Sequence, residues 1–392
     1  METKETVFKI YESGYDAHNS KLQDKESLKY FLKNILSANV NLNILIGSGS
    51  SLPAIPTMKT TFLDLKKKND DLSQLIEKYK KSSFGDEDPH AENIEQFLSW
   101  LGSRINGMSI DELILNEKEV KSFVIEGLIE SILRGSIFSQ RQDEIVSTQN
   151  NYELLIKNLA FLKQLSDDEN DTINLFTPNY DLFIENSLDS LGYSYSDGFK
   201  NSVHQIFDTT EYNRRPVDVT KRFKDRWSVV RPFFRVYKLH GSLDWNRTSE
   251  GSVIKQHSLN SRSSEELKDA VIAPTSSKYA DSQGSPFSDL FREFSIELTK
   301  SNSVLLVNGY GYGDEHINDF ILQALGRPDF KLIAFLNEEE PNAKKFMKRV
   351  GSSAGATFVT NSEEFNTVHY FSTLVDLLKY NDPFEEVDIN AN

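Results

Sequence analysis

Five short apolar runs constrain this chain more than any other feature of its sequence. Each stops at a small or polar residue: Asn43-Ile44-Leu45-Ile46 at Gly47, Asn174-Leu175-Phe176 at Thr177, Val236-Tyr237-Lys238-Leu239 at His240, Val304-Leu305-Leu306-Val307 at Asn308-Gly309, and Leu332-Ile333-Ala334-Phe335-Leu336 at Asn337. Apolar runs without strict alternation suit strands buried on both faces, as in a parallel sheet covered by helices. Helical periodicity fills the intervals: Tyr152, Leu155, Leu159 and Leu162 make one stripe, and Ile317, Phe320, Ile321, Ala324 and Leu325 make another behind Asp314 as N-cap. The pattern predicts an α/β domain.

The interval from Ile46 to Asn174 far exceeds what one crossover helix needs, so an insertion is expected there. Ile94, Phe97, Leu98 and Leu101, then Val124, Leu128, Ile129, Ile132 and Leu133, are spaced as helix faces, with a loop over residues 82–90. The organisation expected is therefore a discontinuous sheet domain over residues 1–59 and 151–380, a helical insertion over 60–150, and an acidic tail over 381–392, frayed or docking. Residues 197–231 carry Arg214, Arg215, Lys221, Arg222, Lys224, Arg226 and Arg231. The plain reading is a solvated loop or helix face, the alternative an anion or partner site.

Composition removes several function classes. With 59 acidic against 44 Lys and Arg residues among 392, the net charge is −15, which disfavours a broad surface for phosphate backbones. Direct nucleic-acid binding is not expected. With no cysteine there can be no disulfide, thiolate zinc site or cysteine nucleophile, and the seven histidines lack metal-ligand spacing, so no metal is expected. The start of the chain lacks a basic, then apolar, leader pattern, and no uncharged apolar run approaches a membrane span, so a cytoplasmic location is expected.

Chemistry concentrates at the strand ends. Gly47-Ser48-Gly49-Ser50-Ser51 follows a strand directly, where freed backbone N–H groups can approach a pyrophosphate; the alternative is an ordinary Gly/Ser turn. A third glycine of the dehydrogenase fingerprint is missing at Leu52, and Pro53 and Pro56 stop a helix from opening at once. Thr177-Pro178-Asn179-Tyr180-Asp181 ends the second strand and His240-Gly241-Ser242 the third, each readable as a plain turn or as the rim of a ligand crevice. Gly351-Ser352-Ser353-Ala354-Gly355 matches a nucleophile elbow, but a helix precedes it and a strand follows, the reverse of that motif's setting. A serine hydrolase is not expected, and His316 reads as a surface residue.

Taken in order, the strand ending in Gly-Ser-Gly-x-Ser with Ile55-Pro56 beyond it, then Thr-x-Asn-x-Asp, Leu239-His240-Gly241, Gly309-Tyr310 and Leu336-Asn337, resemble the sirtuin (SIR2) NAD-binding domain. The resemblance implies a Rossmann-like parallel sheet whose strand ends hold NAD as substrate. By motif position, Gly47, Ser48, Gly49 and Ser51 would line the dinucleotide, with Thr177 beside it. Asn179 would hold the catalytic water and ribose hydroxyls, Asp181 the nicotinamide carboxamide, and Gly309, Tyr310 and Asn337 the adenosine side. His240 would act at the ribose. The four-cysteine zinc ribbon of lysine deacylases is absent, Thr57-Met58-Lys59 stands where they have Asp-Phe-Arg, and Pro178 replaces their Gln. These departures resemble the SIR2-like NAD hydrolases of bacterial antiphage defence, and within them the SIR2 subunit of a two-gene system with a HerA-type ATPase. Gly311 stands where those proteins usually have Ser.

The resemblance therefore implies cleavage of the nicotinamide–ribose bond to nicotinamide and ADP-ribose, with a homo-oligomer and an ATPase partner. Two other classes stay open: a non-catalytic NAD or ADP-ribose sensor that gates a partner, and an NAD-dependent deacylase or ADP-ribosyltransferase. Asn179 and His240, at strand ends, are not expected to fill the core, so truncating either should cost little stability. The helical insertion reads either as a lid over the crevice or as an added packing layer.

Overall fold

A computed structural model describes residues 7–16, 20–82, 93–107, 115–136, 143–164, 172–224, 226–256, 284–363 and 365–379. The chain opens with β1 (Val7–Gly14), β2 (Ser20–Asp24), α1 (Lys25–Leu36) and β3 (Asn41–Ile46). α2 (Met58–Lys68), α3 (Asp70–Lys80), α4 (Ile94–Gly107), α5 (Leu115–Ser136) and α6 (Asp143–Gln164) precede β4 (Thr172–Thr177). Next come α7 (Phe183–Leu191), β5 (Ser194–Ser196), β6 (Val217–Phe223), β7 (Arg226–Val229), β8 (Phe233–Lys238), β9 (Trp245–Arg247) and β10 (Val253–Lys255). α8 (Phe287–Leu298), β11 (Ser303–Asn308), α9 (Glu315–Leu325), β12 (Lys331–Phe335), α10 (Pro341–Val350), β13 (Ser352–Thr360) and α11 (Phe371–Leu378) complete it.

Nine strands form one sheet in the order β2-β1-β13-β12-β11-β3-β4-β8-β5. From β13 to β5 every neighbouring pair is parallel, and β1 and β2 add an antiparallel edge. All five strands foreseen from the apolar runs are therefore in this Rossmann-like sheet. β3 lies next to the central strand β11: from β3 the chain builds outward through β4 and β8, then returns to the other side of β3 with β11, β12 and β13. That reversal is a topological switch point, the place beyond the strand ends where open parallel sheets generally bind their ligands.

Alternate residues of each strand supply two cores. Leu42, Ile44, Ile46, Ile173 and Leu175 pack with α1, α6, α7 and α11, and Leu45, Phe176, Leu305, Val307 and Leu332 pack with α8, α9 and α10. On the second face, near the strand starts, the position of a third apolar layer is taken by Asn43 and Asn174, both fully buried. Asn174 Nδ2 donates to Asn43 Oδ1 at 3.0 Å and to Glu297 Oε2 at 3.1 Å, and Asn43 Nδ2 to Ser303 Oγ at 2.8 Å. The amide nitrogens are satisfied this way, while the buried Asn174 Oδ1 has no hydrogen-bond partner among the described residues.

The helices between β3 and β4 have a core of their own, with Phe62, Leu72, Ile76, Tyr79, Phe97, Leu98, Leu101, Val124 and Leu128 at its centre. α6, which starts at Asp143, instead packs on the sheet. The basic stretch over 197–231, read as a loop or helix face, instead holds the antiparallel β6–β7 hairpin. Val217, Val219 and Trp227 provide β-forming side chains there, and the Arg222 guanidinium lies 5.2 Å from the Trp227 ring centre. The Gly351–Gly355 motif spans the end of α10 and the start of β13, in helix-to-strand order. The expected loop over 82–90 and the acidic tail over 381–392 fall, apart from Ser82, outside the described residues.

Candidate functional site

Because β12, β11, β3, β4 and β8 are parallel neighbours, the residues that end them share one rim: Asn337, Gly309, Gly47, Thr177 and His240 in that order across the sheet. The turn after β3 is a short 3-10 helix, Ser48–Ser51, and it lies directly against the turn after β11. Gly49 N donates to the Gly309 carbonyl at 2.8 Å. A Cβ on Gly47 would stand 2.4 Å from Gly309 O and from Tyr310 Cα, and one on Gly309, which has φ of +67°, would stand 2.3 Å from Ser50 Oγ. The glycines thus let two backbones approach at the switch point, and side chains there would separate the turns.

The second strand end is tied to this turn. Thr177 Oγ1 donates to the Ile46 carbonyl at 2.7 Å and accepts from Asn179 N at 3.0 Å. Asn179 Nδ2 donates to Gly47 O at 3.0 Å and to Ser51 Oγ at 3.2 Å. A carbonyl can only accept, so this contact fixes which end of the amide is nitrogen, and Oδ1 is left by these two bonds as the acceptor. Ser51 Oγ donates to Asp181 Oδ2 at 2.8 Å and lies 3.0 Å from the Tyr152 hydroxyl. With one hydrogen and two lone pairs, the Ser51 hydroxyl is fully used inside the protein, and Ser51 is 1% exposed. Burial and the nearby Asp181 carboxylate push the Tyr152 hydroxyl's pKa well above its ordinary value, keeping it a neutral donor.

Asp181 also accepts from Phe183 N at 3.3 Å at the start of α7, while its backbone carbonyl accepts from Lys238 Nζ. Lys238 is buried beside Glu185, 3.5 Å away. Burial raises the Glu185 carboxyl to about 7, with Lys238 acting against the rise.

His240 stands on the next strand end, 5% exposed. Its Nε2 lies 2.9 Å from Asp314 Oδ2. The other oxygen of Asp314 accepts from His316 N at 3.0 Å and Ile317 N at 3.2 Å, the N-cap of α9 foreseen from sequence. The Tyr310 hydroxyl lies 2.9 Å from the Asp314 carbonyl and 3.1 Å from Asn318 Oδ1. His316, read as a surface residue, is half-buried, with its ring 4.3 Å from that of Phe291, and burial pushes its pKa down.

Direct contacts therefore join Gly47, Ser51, Thr177, Asn179 and Asp181, and the close turns join Gly49 and Gly309 to them. Ser48 lies in the same turn, His240 and Tyr310 meet through Asp314, and Asn337 stands apart. Asn337 Oδ1 accepts from Glu339 N at 3.1 Å and from Asn361 Nδ2 at 3.3 Å. Burial of Asn179 and His240, at 8% and 5% exposure, corrects the expectation that truncating them is harmless to stability. Sequence reasoning missed Tyr152, Lys238 and Glu185, which look like core-stripe or strand residues until the fold sets them under the rim. It placed Asp314 only as a cap.

The insertion packs against part of this rim. Ile129 and Leu133 of α5 pack with Leu243, and Tyr180, between Asn179 and Asp181, joins that cluster. The end of α5 reaches the segment after the Gly47 turn, where a Cβ on Gly135 would come within 2.5 Å of Ala54 O.

A family model described as a SIR2-like domain matches residues 173–354. The match covers just under half of the chain and takes in β4, β8, β11 and β12 with Thr177, Asn179, Asp181, His240, Gly309, Tyr310 and Asn337. β3, the Gly47 turn and the helical insertion precede it. A SIR2-like domain is compatible with an NAD-using protein, and a zinc ribbon of four cysteines cannot form in a chain with none. Among the described residues, no group of three or more His, Asp or Glu could hold a metal ion, and no helix is long and apolar enough to cross a membrane. No curated protein matches the chain.

Proposed function

We propose that this protein is an NAD hydrolase that releases nicotinamide and ADP-ribose. The observation that carries the reading is the placement of Asn179 and His240 on neighbouring strand ends beside the Gly47 turn, within a SIR2-like match. The dinucleotide would lie along the crevice at the switch point, with the turn of Gly47, Ser48 and Gly49 at its phosphates and the Gly309–Tyr310 side at its adenosine. Among the described residues, Gly311 on that side has no atom within 4 Å of where a Cβ would be. Such a ligand supplies a glycosidic bond whose nitrogen leaves as neutral nicotinamide, so no strong acid is required of the protein. What remains is to orient the ribose, admit one water and accept its proton. Asn179, its amide locked by two donated bonds, presents Oδ1 as an acceptor for that water, and His240 is the base.

We read the physiological role as NAD depletion in antiphage defence, by a homo-oligomer that works with a HerA-type ATPase. An unrestrained NAD hydrolase would drain its own cell, so control by a partner is supported by the chemistry itself. Incubating the full chain with NAD, alone and with such an ATPase, should release nicotinamide and ADP-ribose in equal amounts. An acylated peptide should not increase the yield. No nicotinamide release under either condition, with NAD bound intact, favours the sensor reading and sinks the hydrolase. Light scattering that shows a monomer at full activity refutes the assembly.

A further inference from the structure

The pairing of His240 with Asp314 bears on how the base is set. Resting on the hydrolase reading, we propose that Asp314 is a positioning residue that fixes the tautomer of His240, so that Nε2 carries the hydrogen and Nδ1 is the proton acceptor of the site. A neutral imidazole has one N–H and one lone pair, and a carboxylate only accepts. An oxygen 2.9 Å from Nε2 therefore selects the Nε2–H form. The carboxylate is itself held: Oδ1 caps α9 through two backbone N–H groups, and the helix N-terminus stabilises its negative charge. Both partners are buried, with side chains 6% and 9% exposed, so water competes little for the contact. Asp314 therefore joins β8 to α9 through His240.

The step this permits balances. A water O–H donates its proton to Nδ1 as the oxygen bonds to the ribose carbon. The carbon–nitrogen bond breaks with its electron pair on nicotinamide, and the proton later passes from the imidazolium to solvent. Asp314 opposes the positive charge formed on His240 in between. Beside the pair stand His316 of α9 and Phe291 of α8, whose ring centre is 6.0 Å from that of His240. Glu95 of α4 acts on Tyr180 and Tyr310, next to the pair.

Asp314→Asn separates the two duties of this residue. The amide oxygen can keep the α9 cap, while its NH₂ then faces Nε2 and favours the opposite tautomer. The full chain should keep its melting temperature within a few degrees, and kcat should fall about 10²- to 10⁴-fold with KM little changed. Nitrogen NMR on histidine-labelled wild-type protein should show His240 protonated at Nε2, which needs no variant to fold. An Nδ1–H tautomer in the wild type, or unchanged kcat in Asp314→Asn, overturns the proposal. If the wild type releases no nicotinamide, the hydrolase reading fails, and the tautomer measurement still decides whether Asp314 sets His240.

Discussion

Asn179 both shapes the turn it faces and presents an acceptor, and the two duties fall on opposite ends of one amide. Removing it in Asn179→Ala leaves the Gly47 carbonyl without this donor in a buried setting, a loss of about 1–3 kcal/mol. NAD turnover should fall about 10²- to 10⁴-fold as well, read as kcat/KM beside the melting temperature. Near-normal turnover removes Asn179 from the chemistry. Glu185 gives a separate expectation for pH. Its carboxyl, raised by burial to about 7 from 4.5, favours the folded state most when protonated. That contribution is complete below about 4.5 and is lost as pH rises through about 7, at about 1.4 kcal/mol per unit. The melting temperature of the wild type should therefore fall more steeply from about pH 5 to about pH 8 than that of Glu185→Gln. Equal slopes would show that Glu185 stays ionised. Asn179 and His240 were singled out in sequence by motif position just beyond two apolar runs, and the fold sets them beyond the ends of the neighbouring strands β4 and β8. Glu185 and Tyr152 were not, because nothing in a helical stripe shows that its buried face lies under a loop instead of a strand.

The turns after β3 and β11 behave as one unit, because each supplies the surface the other packs on. Gly309→Ala places a methyl group against Ser50 at a backbone angle that L residues rarely adopt, so both space and φ oppose it. The expected outcome is a loss of roughly 1–3 kcal/mol, together with weaker NAD binding seen by calorimetry. Gly311→Ala, two residues on and with no neighbour within 4 Å of its Cβ among the described residues, should change the melting temperature by no more than a degree or two. If the two variants melt alike, the turns are not packed as described. The sheet strands were readable as elements because burial on both faces demands continuous apolar runs. The β6–β7 hairpin was hidden by its charge: its alternation is interrupted by a register shift between Asp218 and Arg222, and basic side chains dominate the segment. The reason for the glycines was equally hidden. A Gly-Ser-Gly turn reads as an approach to phosphate, whereas here its first demand is the neighbouring turn.

For the molecule as a whole, strand order follows from the apolar runs only once the chain's return past β3 is known, and no local pattern carries that. The insertion was visible as surplus length, but its packing against the rim depends on which α5 residues face inward. α5 carries two separate apolar faces: Val120, Val124 and Leu128 belong to the core of the insertion, and Ile129 and Leu133 belong to the contact with Leu243 and Tyr180. The second face can therefore be weakened while the first is kept. Replacing Ile129 and Leu133 together by Ser removes the two buried α5 side chains of the cluster at Leu243 and Tyr180, and neither belongs to the core around Phe97 and Tyr79. Under the lid reading, hydrogen exchange should rise for residues 178–182 and 241–245 and stay unchanged in α3 and α4. NAD turnover without any partner should rise in the same variant, because the closed state has lost the contacts that favour it. Faster exchange with unchanged turnover would assign the insertion to packing alone, since a cover that opens without consequence does not control the site.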